Sequence, residues 1–163
     1  MNRRHRIIAV DPGYDRVGIA VLEGNTLIHS ECFVPAKGAL ENRLREVHGR
    51  AREIIREYEP RSLALETLFF SKNQKTAIGV AEARGVIMLA AVEAGIPLAE
   101  YSPQAVKIAV TGQGNADKRG VIKMVERMVN LPSAGKRYDD EYDAIALGLA
   151  HQATQKVSPT QKG

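Results

Sequence analysis

The sequence predicts an α/β domain: a five-stranded mixed sheet with strand 2 antiparallel and helices on both faces. Three observations predict it. Apolar runs on either side of Gly24-Asn25 have the spacing of a hairpin. Two long segments repeat their apolar residues at helical spacing. Three strands in succession, then helix, strand, helix, strand and helices, make a hairpin-led sheet that must be covered on two sides.

Arg6 to Asp11 is a buried strand, since Ile7, Ile8, Ala9 and Val10 are contiguous and Asp11-Pro12-Gly13 closes the run with turn chemistry. Val17 to Glu23 forms the second strand and Thr26 to Val34 the third. Leu40, Leu44, Val47, Ala51, Ile54, Ile55 and Tyr58 share a helix face until Pro60 stops the helix. Ser62 to Glu66 is the fourth strand. A helix from about Thr76 to Ala94 and a fifth strand from Ile96 to Tyr101 follow. The rest is helical: a short piece from Pro103, an amphipathic helix bearing Val121, Ile122, Val125 and Met128, and a last helix from about Asp139 to Ala153. This strand–helix order is that of the ribonuclease H-like architecture.

A chain of 163 residues can bury a core, and residues 1–154 are expected to form a single domain followed by a polar, disordered tail, 155–163. Lys plus Arg exceed Asp plus Glu by 23 to 19, a net charge of +4 that suits a polyanionic partner. Cys32 is the only cysteine, which excludes an intramolecular disulfide and a cysteine metal cluster; it is expected to be a small buried hydrophobe in a protein of the reducing cytoplasm. His5, His29, His48 and His151 show no zinc spacing, and His151 is expected to be structural. The apolar run Ile7 to Val10 is too short for a signal segment, and no run is long enough to span a bilayer.

The chemistry lies in acids at unusual positions. Asp11 ends an apolar strand, although by itself it suits the turn Asp-Pro-Gly slightly better. Glu66 follows Leu63-Ala64-Leu65 and precedes Leu68-Phe69-Phe70, where a carboxylate is costly without a compensating cation or donor. Asp140 and Asp143 share a face near the start of the last helix, where acids also compensate the helix dipole; Asp139 stands four residues before Asp143 and fits that face by spacing too. Carboxylates from three segments can converge into an oxygen-ligand site, which selects Mg²⁺ or Mn²⁺. Two such ions can activate water and stabilise the leaving oxygen in phosphodiester hydrolysis.

Nearly the whole chain resembles the RuvC Holliday junction resolvases. The resemblance rests on Ile8-Ala9-Val10-Asp11-Pro12-Gly13, on Leu65-Glu66 with Phe69-Phe70-Ser71-Lys72-Asn73, and on Glu82-Ala83-Arg84-Gly85-Val86. It continues through Tyr101-Ser102-Pro103 with Val106-Lys107, Gly112-x-Gly114-x-Ala116-Asp117-Lys118, and Asp140-x-x-Asp143-Ala144. Two departures are Val17 before Gly18, where the family usually has Thr, and a last motif less rich in alanine.

The resemblance implies a metal-dependent endonuclease making paired, symmetric nicks in four-way DNA junctions during recombination and repair. Asp11, Glu66, Asp140 and Asp143 would be catalytic and hold two Mg²⁺ ions per active site, with Mn²⁺ as a substitute. Lys107 and Lys118 would contact phosphates beside them. Phe69 would insert against bases, and Phe70, Lys72, Asn73 and Arg84 would join it at the DNA. The resemblance further implies a homodimer and a branch-migration helicase complex as partner. An all-round apolar helix, carrying Ile78, Val86, Ile87, Leu89, Ala90 and Val92, independently calls for burial on two sides.

Three other readings stand beside it. A general ribonuclease H-like nuclease would share the carboxylates. An actin-like or sugar-kinase ATPase would share the strand-end Asp and glycines of Asp11 to Gly18, but such proteins bind nucleotide between two domains and this chain holds one. A noncatalytic nucleic-acid-binding protein leaves Glu66 unexplained.

Overall fold

The computed structural model describes residues 5–13, 15–68, 74–133 and 135–157. Its elements are β1 (Arg6–Pro12), β2 (Val17–Glu23), β3 (Thr26–Phe33), α1 (Leu40–Tyr58), β4 (Ser62–Glu66), α2 (Gln74–Glu93), β5 (Leu98–Tyr101), α3 (Pro103–Thr111), α4 (Lys118–Met128) and α5 (Asp139–Val157). The sheet runs β3-β2-β1-β4-β5. β2 is antiparallel to both β1 and β3, while β1, β4 and β5 run parallel. This is the expected mixed sheet.

Side-chain alternation assigns the two faces. Ile8 and Val10 of β1, Ile19 and Val21 of β2, and Leu63 and Leu65 of β4 pack against α1 and α2. Ile7 and Ala9, Ala20 and Leu22, and Ala64 point the other way, into a core with α3, α4 and α5. Asp11 and Glu66 continue the second series, so the pleat directs both carboxylates to the α5 face. Val10 is paired with Leu65 in the parallel β1–β4 ladder, which makes Asp11 and Glu66 neighbours at the carboxyl ends of adjacent strands.

Helix α5 lies close on that face because residue 148 is glycine: a Cβ there would fall 2.4 Å from Leu22 Cδ1 and 3.2 Å from Ile7 Cδ1. Helix α3 starts where Ser102 Oγ accepts from Ala105 N at 3.1 Å and Pro103 sets the first turn. Asp117 caps α4 in the same way, accepting from Gly120 N at 2.8 Å. The start of α4, with Lys118, is thereby held beside the strand ends.

The bounds of β1, β3 and α2 differ from expectation by one or two residues, and those of β5 and α5 differ for reasons their contacts show. Strand β5 begins at Leu98, because Ile96 N is bonded to Ala91 O in the turn out of α2 and Pro97 has no donor. Helix α5 continues past residue 154 to Val157, into the segment expected to be a disordered tail. Gln155 holds it there: its Oε1 accepts from Arg61 Nη2 at 2.6 Å and its Nε2 lies 2.9 Å from His151 Nε2. No helix among the described residues is long and apolar enough to cross a membrane.

Candidate metal centre

The first turn of α5 delivers two more carboxylates to the strand ends. Carboxylate oxygens of Asp11, Asp140 and Asp143 all lie within 4.8 Å of one another. Asp140, rather than Asp139, is the member of this group; Asp139 stands outward with Lys118 Nζ at 3.5 Å. Glu66 flanks the group on the other side and shares a hydrogen bond with Asp11. A cleft of about 290 Å³ opens onto Asp11, Glu66 and Asp143, lined among others by Lys107, Lys118 and Val106.

Burial, and then the charges of Glu66 and Asp143, push the Asp11 carboxyl up to about 9. Burial also raises Glu66, with Lys107 and Lys118 opposing the shift. Asp143 is raised by burial despite Lys118 Nζ at 3.5 Å. Lys118 is raised by Asp143 and Asp139 against the effect of its own burial. Such carboxyls resist ionising together unless positive charge enters among them. An all-oxygen donor set with that property fits a hard divalent cation.

Neighbouring residues fix the geometry. Glu141 is buried; its Oε1 accepts from Ser30 Oγ at 2.8 Å and its Oε2 from Tyr138 N at 2.8 Å, pinning the helix start to β3. Arg16 Nε lies 2.8 Å from Asp140 Oδ2. Strand β2 approaches the same turn so closely that a Cβ on Gly18 would sit 2.1 Å from the Asp140 carbonyl oxygen. Arg84 turns inward, its Nε donating to Glu66 O at 2.9 Å and its Nη2 pairing with Glu100. It therefore secures the end of β4, a role its place in the motif did not suggest.

Cys32, expected to be a small buried hydrophobe, is partly exposed at the edge of this centre, its Sγ 3.7 Å from Asp140 Oδ2. Burial, followed by the Asp140 charge, raises its thiol. Phe69, Phe70, Lys72 and Asn73 lie outside the described residues.

The family model for the crossover junction endodeoxyribonuclease RuvC matches residues 7–151. The chain belongs to the RuvC family. It is 40% identical over 163 residues to the RuvC of Thermotoga petrophila, covering 97% of this chain and 98% of that protein. With the RuvC of Moorella thermoacetica it shares 41% identity over 150 residues, 89% of each chain. The structure of T. thermophilus RuvC in complex with Holliday junction substrate superposes with a TM-score of 0.86 at 30% identity, covering 94% of this chain and 96% of that one. A yeast mitochondrial Holliday junction resolvase shares the fold, with a TM-score of 0.69 at 11% identity over 94% of this chain and 81% of the other.

His151 is a structural residue of this RuvC chain. It is buried, with Nε2 2.8 Å from Ser62 Oγ and Nδ1 2.8 Å from Tyr101 Oη, and so bridges β4, β5 and α5. Burial, and then the charge of Arg61, lower its pKa from 6.5 to about 4. The unfolded chain therefore takes up this proton first. The neutral imidazole's contribution is fully present above about pH 6.5 and is lost as pH falls toward 4, amounting to ~3 kcal/mol. The urea midpoint is expected to drop across that window in the wild type. The drop should shrink in His151→Gln, and an equal drop in both proteins would exclude the imidazole as its source.

Proposed function

We propose that this chain is a Holliday junction resolvase, making paired, symmetric nicks in four-way DNA junctions by Mg²⁺-dependent phosphodiester hydrolysis in recombination and repair. The observation that carries the reading is the convergence of Asp11, Asp140 and Asp143 beside Glu66, at the strand ends of a chain that belongs to the RuvC family. The likeness to a relative solved with junction DNA supports the substrate.

Asp11, Glu66, Asp140 and Asp143 would hold the ions. When bound, two Mg²⁺ ions, or Mn²⁺ in their place, supply an activated water and charge for the leaving oxygen of an in-line displacement. Lys107 and Lys118, on the wall of the cleft, neutralise the phosphates of the strand being cut. Arg84 serves by holding Glu66. Phe69 and Phe70 stack on bases at the junction centre, with Lys72 and Asn73 contacting the same strands. The reaction belongs to the cytoplasm and to a branch-migration helicase complex.

Two symmetric cuts need two active sites, and we propose a homodimer formed through α2. Ile78, Leu89 and Val92 are 60%, 50% and 73% exposed, while Ala83, Ile87 and Ala90 on the same helix are buried against the domain. Leu89→Glu combined with Val92→Glu is expected to convert a dimer to a monomer in sedimentation velocity. A wild-type protein that sediments as a monomer with and without junction DNA would refute the dimer.

The test of the function is a cleavage panel. Four-way, three-way, duplex, single-stranded and RNA–DNA hybrid substrates are incubated with and without Mg²⁺. Metal-dependent nicking confined to the four-way junction is expected; equal cutting of the hybrid or the duplex would reassign the chain as a general nuclease.

A further inference from the structure

We propose that Arg16 is a phosphate-binding residue of this site, anchored through Nε by Asp140 and presenting its terminal amino groups to the strand that lies over the carboxylates. The proposal rests on the nuclease reading above and adds to it a contact from the hairpin side of the centre.

Three features place Arg16. The turn after β1 is closed by Gly13 N donating to Arg16 O at 2.9 Å. It admits no side chain at position 13, where a Cβ would lie 2.4 Å from that oxygen. On the far side of the turn, Asp15 Oδ1 accepts from Arg43 Nη2 at 3.1 Å, tying the hairpin to α1. Two residues past Arg16, Gly18 rests against the Asp140 backbone. The arginine is thus carried on backbone fixed at both ends, and its Nε meets Asp140 Oδ2 at 2.8 Å.

A guanidinium is a planar fork of five donors, of which this ion pair uses the Nε edge. The Arg16 side chain remains 54% exposed, whereas its partner Asp140 is 20% exposed. The side chain's exposure leaves the remaining donors room to meet a phosphate beside the acidic group. Lys118, with Nζ 3.5 Å from Asp143, stands on the α4 side of the same group. A backbone crossing between them would meet a cation on either side of carboxylates that otherwise repel it. Arginine held by a carboxylate loses little further freedom when it engages a phosphate in the bidentate manner. An ion pair kept only for stability has no such requirement, and at this exposure contributes little.

The experiment measures binding of a fluorescent four-way junction by anisotropy across a salt series. Ca²⁺ replaces Mg²⁺, because it fills oxygen sites without demanding the same strict geometry. Arg16→Ala is expected to reduce the slope of log affinity against log salt by about one per active site. Arg16→Lys should keep the slope yet cut more slowly with Mg²⁺, since an ammonium that reaches the phosphate cannot also keep the Asp140 edge. Thermal unfolding of both variants checks that the domain is intact. An unchanged slope for Arg16→Ala overturns the proposal, whatever happens to the cutting rate; with a lowered melting temperature it makes Arg16 a structural ion pair. Failure of the wild type to cut any junction in Mg²⁺ would overturn the nuclease reading instead, and the salt slopes separate the two failures.

Discussion

Asp140→Asn is expected to abolish Mg²⁺-dependent cutting of a four-way junction, while Asp139→Asn keeps most of it. The two residues are consecutive on α5, and only Asp140 brings an oxygen into the group with Asp11 and Asp143. Their side chains are 20% and 62% exposed, Asp140 turned toward the centre and Asp139 toward solvent and Lys118. Losing a carboxylate that binds an ion removes charge stabilisation from the transition state. A loss of ~4 kcal/mol is roughly a thousandfold in rate. Asp11→Asn, Glu66→Gln and Asp143→Asn should do the same. Junction binding should be unchanged or tighter in all four variants, since each removes negative charge beside a phosphate. Asp139→Asn gives up an exposed ion pair and an acid at a helix start, together on the order of 1 kcal/mol in stability. Cleavage and gel-shift assays on the same preparations check both halves. An inactive Asp139→Asn beside an active Asp140→Asn would move the ligand assignment by one residue.

Why Asp140 could be singled out only by its family motif, and not by spacing, is a matter of geometry. Residues 139 and 140 both neighbour 143 on a helix, and the choice depends on how α5 is rotated on the sheet. That rotation follows from Gly148 against Leu22 and Glu141 against Ser30, contacts between segments far apart in the chain. Asp11 and Glu66 were legible for the opposite reason: each closes an apolar strand, so the contrast is local. The strand limits of β2 and β4 match the sequence reading for the same reason, being set by short runs between turn residues. Arg16, Gly18 and Glu141 carry no such contrast. A basic residue in a turn, a glycine in a strand and an acid at a helix start are each ordinary until their partners are known. Arg84 belonged to a motif that suggested DNA, but its partners Glu66 and Glu100 lie on two different strands. Cys32 lies on an edge strand and so keeps some exposure; its composition as a small apolar residue gave no hint of Asp140 nearby.

Gly18→Ala is expected to be more damaging than Gly148→Ala, because it strikes backbone rather than side chain. The added Cβ would fall 2.1 Å from the Asp140 carbonyl oxygen and 2.8 Å from its carbonyl carbon, distances no real contact reaches. Strand β2 is an interior strand, bonded to β1 and β3, and cannot retreat. The first turn of α5 must therefore lift, taking Asp140 with it and loosening the Ser30–Glu141 bond. Overpacking of this kind costs about 3 kcal/mol, on the order of 10 °C in Tm for a domain of this size. A carboxylate displaced by ~1 Å should also cost about a hundredfold in cutting rate. Gly148→Ala is the comparison. There the nearest atom is Leu22 Cδ1 at 2.4 Å, the end of a side chain that can change rotamer, and the site lies more than a helical turn beyond Asp143. Gly148→Ala should thus lower Tm by less and leave the rate per folded molecule near that of the wild type. Melting curves and single-turnover rates on a four-way junction give both quantities. If Gly18→Ala cuts at the wild-type rate, the seating of β2 against α5 is not what positions Asp140.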